Sequence, residues 1–144
     1  MQTIAKENPL GKLKITSVLT RTHSTGDKVS VFQVEKTPQL QALHEAVSNR
    51  LAPYFTYDVT KDMIWVPARQ GPYDEQIAES TLLWIKNYRQ KASFDKFSPH
   101  ITIGYGQAEN LLSPIEFAVC QLALCHLGNH CTCRKVLISI SIPC

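Results

Sequence analysis

Long apolar runs are missing from this chain. None approaches the roughly 18 residues that span a bilayer as a helix, and the opening stretch MQTIAKENPLGK has no apolar segment of the export-signal kind. There is no low-complexity segment, no recognisable linker and no internal repeat, so a single domain is expected over residues 1–144. Charge is modest: 19% of residues are charged and the net charge is +3. That excess suits an anionic ligand but falls short of the dense basic patch expected of a duplex-DNA binder. Hydrophobic residues make up 44%, enough for a real core without disulfides or metal. The five cysteines, an odd count without an export signal, read as reduced thiols in a cytoplasmic setting.

What is present alternates. KLKITSVLT (12–20) and VSVFQV (29–34) read as two strands of a hairpin about the polar turn RTHSTGDK. Thr37 with Pro38 marks a helix start, and Leu40, Leu43, Val47 and Leu51 form its apolar stripe. MIWVP has the composition of a short strand. A second helix is predicted from Asp74 through DEQIAESTLLWIKNYRQK, with Ile77, Thr81, Trp84, Ile85 and Tyr88 on one face. FSPHITIGYG then leads into a strand from His100. A second hairpin is predicted around Leu-Gly-Asn in LALCHLGNHCTCRKVL. This order of elements implies an α+β fold with an antiparallel sheet and flanking helices.

Three His-x-Thr triplets occur: His23-Ser24-Thr25, His100-Ile101-Thr102 and His130-Cys131-Thr132. Only the middle one lies in an apolar alternating strand. The period of two sends His100 and Thr102 to one side and Ile101 and Ile103 to the other. If the isoleucines are buried, an imidazole and a hydroxyl project together. Histidine exchanges protons near neutral pH, and a threonine hydroxyl donates to phosphate oxygens. Without further context, His100 reads first as a buried structural histidine and Thr102 as an ordinary strand former.

The segment FSPHITIGYG, with the helix WIKNYRQK before it and the hairpin LALCHLGNHCTCRKVL after it, resembles the C-terminal half of the 2H phosphoesterases. These are the RNA 2′,3′-cyclic phosphodiesterases and 2′-5′ RNA ligase-like proteins. VSVFQVEK and PQLQALHEAVSNRL are also similar to stretches that family carries before its second motif. The resemblance implies a two-lobed sheet whose cleft takes one His-x-Thr/Ser strand from each half. One histidine acts as base, the other as acid, and two hydroxyls hold the phosphate, with no metal or other cofactor. His100 and Thr102 match the second motif. The first motif has no clean match. MQTIAKENP reads as the end of the helix that follows it, so an N-terminally truncated 2H-like sheet with an open edge is expected. His23 and Thr25 stand at about the family's separation from His100, but in a polar turn.

Other residues carry weaker expectations. Tyr105 can line a cleft and stack on a base, and Arg134 can reach back toward it. Trp65 and Trp84 read as core. Lys12, Lys14, Arg21 and Lys28 frame the first hairpin and either solvate it or steer phosphates. Cys125, His126, His130, Cys131 and Cys133 are zinc-ligand types at poor spacing, so a tight hairpin with cysteines as apolar fillers is the better reading. The expected partner is RNA or a nucleotide phosphodiester, with self-association through the open sheet edge as a further expectation. The alternative function is a catalytically inactive module that binds nucleotide, RNA ends or a protein.

Overall fold

Two antiparallel sheets and three α-helices organise the chain in the computed structural model, which describes residues 2–22, 26–66 and 76–143. The order is α1 (Gln2–Glu7), β1 (Leu13–Thr22), β2 (Lys28–Val34), α2 (Pro38–Leu51), α3 (Glu79–Ala92), β3 (His100–Tyr105), β4 (Ile115–Phe117), β5 (Gln121–Leu127) and β6 (Cys133–Ser141). The α+β class expected from the sequence is observed. Among the described residues, the four-stranded sheet runs β3-β2-β1-β4, and β5 pairs with β6 in a second, two-stranded sheet. Among the described residues, no helix is long and apolar enough to cross a membrane.

The β1–β2 hairpin and α2 form where the residue pattern places them. Thr37 caps α2 by accepting the Leu40 N–H at 3.2 Å, with Pro38 at the first turn where its missing donor costs nothing. One face of the sheet buries Leu13, Ile15 and Val34, and Phe32, Leu40, Leu111, Phe117 and Val119 pack against them. The short strand β4 closes this core by pairing with the start of β1, Ile15 opposite Ile115 and Leu13 opposite Phe117.

The approach to β3 is pinned to α2. His44 Nε2 accepts the Phe94 N–H at 3.1 Å, and its ring stacks on Phe97 with centroids 4.0 Å apart. Phe94 holds a left-handed φ of 57°, so this acceptor stabilises a conformation that a bulky residue does not favour. Gln41 Nε2 donates to the Phe94 carbonyl at 2.9 Å. Lys36 Nζ donates to that of Asp95, also at 2.9 Å.

Several expectations are corrected. MIWVP contains no strand among its described residues. Its start lies in a single 3-10 turn, Lys61–Met63, and the following backbone is held to the second hairpin by Trp65 N–H to the Leu127 carbonyl at 2.9 Å. The second helix starts at Glu79, and Asp74 lies outside the described residues. Residues 76–78 are not helical because Asn129 takes up their polar backbone: its Nδ2 donates to Gln76 O at 2.9 Å and its Oδ1 accepts from Ala78 N at 3.1 Å. Trp84 is 44% exposed and therefore not core. Ile101 and Ile103 are each 43% exposed. Among the described residues β3 is an edge strand paired with β2 on one side. Cys120 is disulfide-bonded while Cys125, Cys131 and Cys133 are free thiols, so the expectation of wholly reduced cysteines does not hold.

Edge exposure recurs in the second hairpin, where Val136, Leu137 and Ile138 of β6 are all at least half exposed. With Ile101 and Ile103, these side chains leave apolar surface of β3 and β6 open to solvent.

Candidate functional site

Backbone anchoring sets where β3 begins. The Pro99 carbonyl accepts from Val34 N at 3.1 Å and from Gln33 Nε2 at 2.9 Å, tying the strand start to β2. At its far end, the turn after β3 is tied to buried Ser30. The Ser30 hydroxyl donates to Gly106 O at 2.7 Å and accepts the Ala108 N–H at 2.9 Å. Gly106 takes a φ of 103°, a conformation open to glycine and strained for other residues.

His100 is exposed, as the sequence reading requires of an acting imidazole. Its Nδ1 lies 2.8 Å from the Ser98 carbonyl. A carbonyl only accepts, so Nδ1 carries the proton. In the neutral ring Nε2 is then the free lone pair. The strand thus presents a tautomer able to accept a proton on the solvent side. Thr102 lies two positions along, roughly 7 Å by strand rise, and is also exposed.

Register decides what else shares that face. His100 is opposite Gln33 and Thr102 opposite Val31. A bulge between Ser30 and Val31 then shifts the pairing, so that Gly104 faces Ser30 and Tyr105 faces Val29. Residues directly opposite one another project to the same side. Gln33, Val31 and Val29 alternate onto one side of β2, so His100, Thr102 and Tyr105 share a face. Simple alternation assigns Tyr105 to the isoleucine side, and the extra residue, Ile103, reverses this. Tyr105 is 72% exposed. In the next strand Ser17 is opposite Gln33, Leu19 opposite Val31 and Arg21 opposite Val29. The face therefore carries three cross-strand rows: His100–Gln33–Ser17, Thr102–Val31–Leu19 and Tyr105–Val29–Arg21. Arg21 stands two strand spacings from Tyr105, roughly 10 Å. Val31, at the centre of these rows, is only 4% exposed, so the open part of this face is formed by His100, Thr102 and Tyr105 along β3 and by Arg21 at the far side. The sequence showed Arg21 only as one of several hairpin charges. Its place on this face follows from a second register shift, between Ile15 and Ser17.

The other candidates lie elsewhere. His23 and Thr25 fall outside the described residues. Arg134 belongs to the second sheet, where its Nε donates to Thr132 Oγ1 at 2.9 Å and its side chain lies directly over Gly128, leaving no room for a Cβ there. His130 sits in the hairpin turn with a left-handed φ of 55°. His126 Nε2 donates to the Met63 carbonyl at 3.0 Å. Among the described residues, no second histidine shares the His100 face, and no three His, Cys, Asp or Glu side chains converge as a metal-holding group. Comparison with known proteins finds no matching family model, no matching curated protein and no matching solved structure.

Proposed function

We propose that this protein acts on 2′,3′-cyclic or 2′-5′ phosphodiesters of RNA type, using histidine acid/base chemistry at a half-site formed by His100 and Thr102. The observation that carries this reading is the Nδ1 hydrogen bond to the Ser98 carbonyl, which leaves Nε2 free on the exposed face that also bears Thr102. The resemblance of FSPHITIGYG to the second 2H motif supports the same assignment.

In this reading a water adds to phosphorus and gives its proton to His100 Nε2. Thr102 donates its hydroxyl proton in a hydrogen bond to a non-bridging phosphate oxygen. The P–O2′ bond of a cyclic ester breaks, and the leaving oxygen takes a proton from solvent. A second imidazole opposite His100 would supply that proton faster.

The alternative is a module of the same architecture that binds nucleotide or RNA ends without turnover. It is favoured by one observation, that no second histidine among the described residues lies on that face. Hydrolysis of 2′,3′-cyclic nucleotides and a 2′-5′-linked dinucleotide by the purified chain tests both. Turnover that falls on the order of 10²- to 10⁴-fold in His100→Gln supports the enzyme. Binding of the same compounds without turnover supports the module. Neither binding nor turnover overturns both readings.

A further inference from the structure

A cavity of about 410 Å³ lies away from β3, between the segment after α2, the exposed side of α3 and the turn of the second hairpin. Its size is that of a small-ligand site. Phe55, Tyr57, Trp84 and Tyr88 supply four aromatic rings to its lining, and Leu127 and Cys131 close it from the hairpin. The rings are left partly open to solvent: Tyr57 is 53%, Trp84 44% and Tyr88 42% exposed. Trp84 and Tyr88 are one helical turn apart and meet edge to face with centroids 6.5 Å apart, which leaves ring faces available for a flat guest.

Charge selects the guest. Arg89 also lines the cavity, with its guanidinium 5.6 Å from the Phe55 ring centroid and 5.3 Å from that of Phe94. No described lining residue is acidic. A quaternary ammonium or other cation, the usual occupant of an aromatic cage, would here face a fixed positive charge. Burial raises the Tyr88 phenol and the Cys131 thiol above their ordinary pKa values, so both are neutral near pH 7 and neither repels an anion. The walls are held in place by Asn129, whose buried side chain joins the hairpin turn to the start of α3.

We propose that this cavity binds a nucleoside monophosphate, its base stacked on Trp84 with the Tyr88 ring meeting it edge-on, and its phosphate paired with Arg89. The site is separate from the His100 face and does not depend on any phosphodiester chemistry there. A base offers the flat π-surface that an aromatic ring accepts, and a monoester phosphate offers the opposite charge to the Arg89 guanidinium.

The test uses the full chain carrying Trp65→Phe, so that Trp84 is its sole tryptophan reporter, since the sequence has only two. Fluorescence and calorimetric titrations compare AMP and UMP with adenosine, inorganic phosphate, phenyl phosphate and choline. Saturable quenching by the nucleotides is expected, with adenosine binding several-fold more weakly. Arg89→Gln should bring nucleotide affinity down to that of the nucleoside. By calorimetry, Trp84→Ala should bind on the order of tenfold more weakly, and Trp84→Phe should retain binding, which separates lost stacking from lost folding. His100→Ala should leave the titration unchanged even where it abolishes cyclic-phosphate hydrolysis, so this proposal and the catalytic one fail independently. Absence of saturable quenching overturns the proposal. So does equal affinity of wild type and Arg89→Gln for the nucleotides, preference for choline, or phenyl phosphate binding as tightly as AMP.

Discussion

The Thr81 hydroxyl donates to Asn129 Oδ1 at 3.0 Å, and both side chains are buried, at 3% and 4% exposure. The pair joins the first turn of α3 to the turn of the second hairpin. The Thr81 hydroxyl also accepts the His130 N–H at 3.0 Å, and Asn129 Oδ1 accepts the same donor at 3.1 Å. A single polar cluster thus satisfies backbone groups from two segments and sustains left-handed φ values at His130 and Cys131.

Removing one member should be costly because the others remain buried. Asn129→Leu leaves Ala78 N–H and Gln76 O without these partners. It is expected to destabilise the chain by about 2–4 kcal/mol in urea unfolding. Thr81→Val should cost about 1–2 kcal/mol. A double-mutant cycle between the two should show a coupling of at least ~0.5 kcal/mol. Additive losses would show that the contact is not maintained in solution.

Stability should fall on mild acidification through His44. Burial is the main cause that holds its pKa below the ordinary value of 6.5; Lys36 acts in the same direction and Glu45 against it. The folded state therefore favours the neutral ring, whose Nε2 accepts from Phe94 N–H. The unfolded chain binds more protons in the window between the depressed value and 6.5. The contribution is fully present above pH 6.5, declines as pH falls through that window and is gone below it. Urea midpoints measured from pH 8 to pH 5 should drop, and the drop should be smaller in His44→Gln.

At the candidate site, chemistry and folding should separate. His100 and Thr102 are exposed on an edge strand, so His100→Gln and Thr102→Val should each change stability by no more than about 0.5 kcal/mol. Any cyclic-phosphate turnover should nevertheless fall on the order of 10²-fold or more in His100→Gln. A thermal shift of several degrees in either variant would point to a structural role for that residue.

The Ser30 anchor should position β3 from behind. Ser30→Ala removes the acceptor for Ala108 N–H and the donor to Gly106 O. A loss of about 1–3 kcal/mol is expected, with faster amide exchange at residues 104–108. Unchanged exchange there would show that the turn holds without the hydroxyl.

Self-association is the expected fate of the uncovered strands. Ile101 and Ile103 of β3 and Val136, Leu137 and Ile138 of β6 are all more than two-fifths exposed, and burying such apolar surface favours association. Sedimentation equilibrium should show mass above the monomer at micromolar concentration. Ile103→Lys with Leu137→Lys should restore the monomer. A monomer at all concentrations without those changes would contradict it.

Local pattern was enough for much of this molecule. The β-branched alternation in KLKITSVLT and VSVFQV, the Thr37-Pro38 helix start and the Leu-Gly-Asn turn each encode their element through neighbours in the chain, and so they were legible. The pairing of His100 with Thr102 on one face follows from the same period of two. Tertiary structure decided the rest, because it depends on partners far away in sequence. The late start of α3 reflects Asn129 claiming the backbone of residues 76–78. The half-exposure of Ile101 and Ile103 reflects an edge position that no local pattern records. Tyr105 and Arg21 share the His100 face only because two bulges each shift the register by one residue, and a one-residue shift turns every later side chain to the opposite side of a sheet.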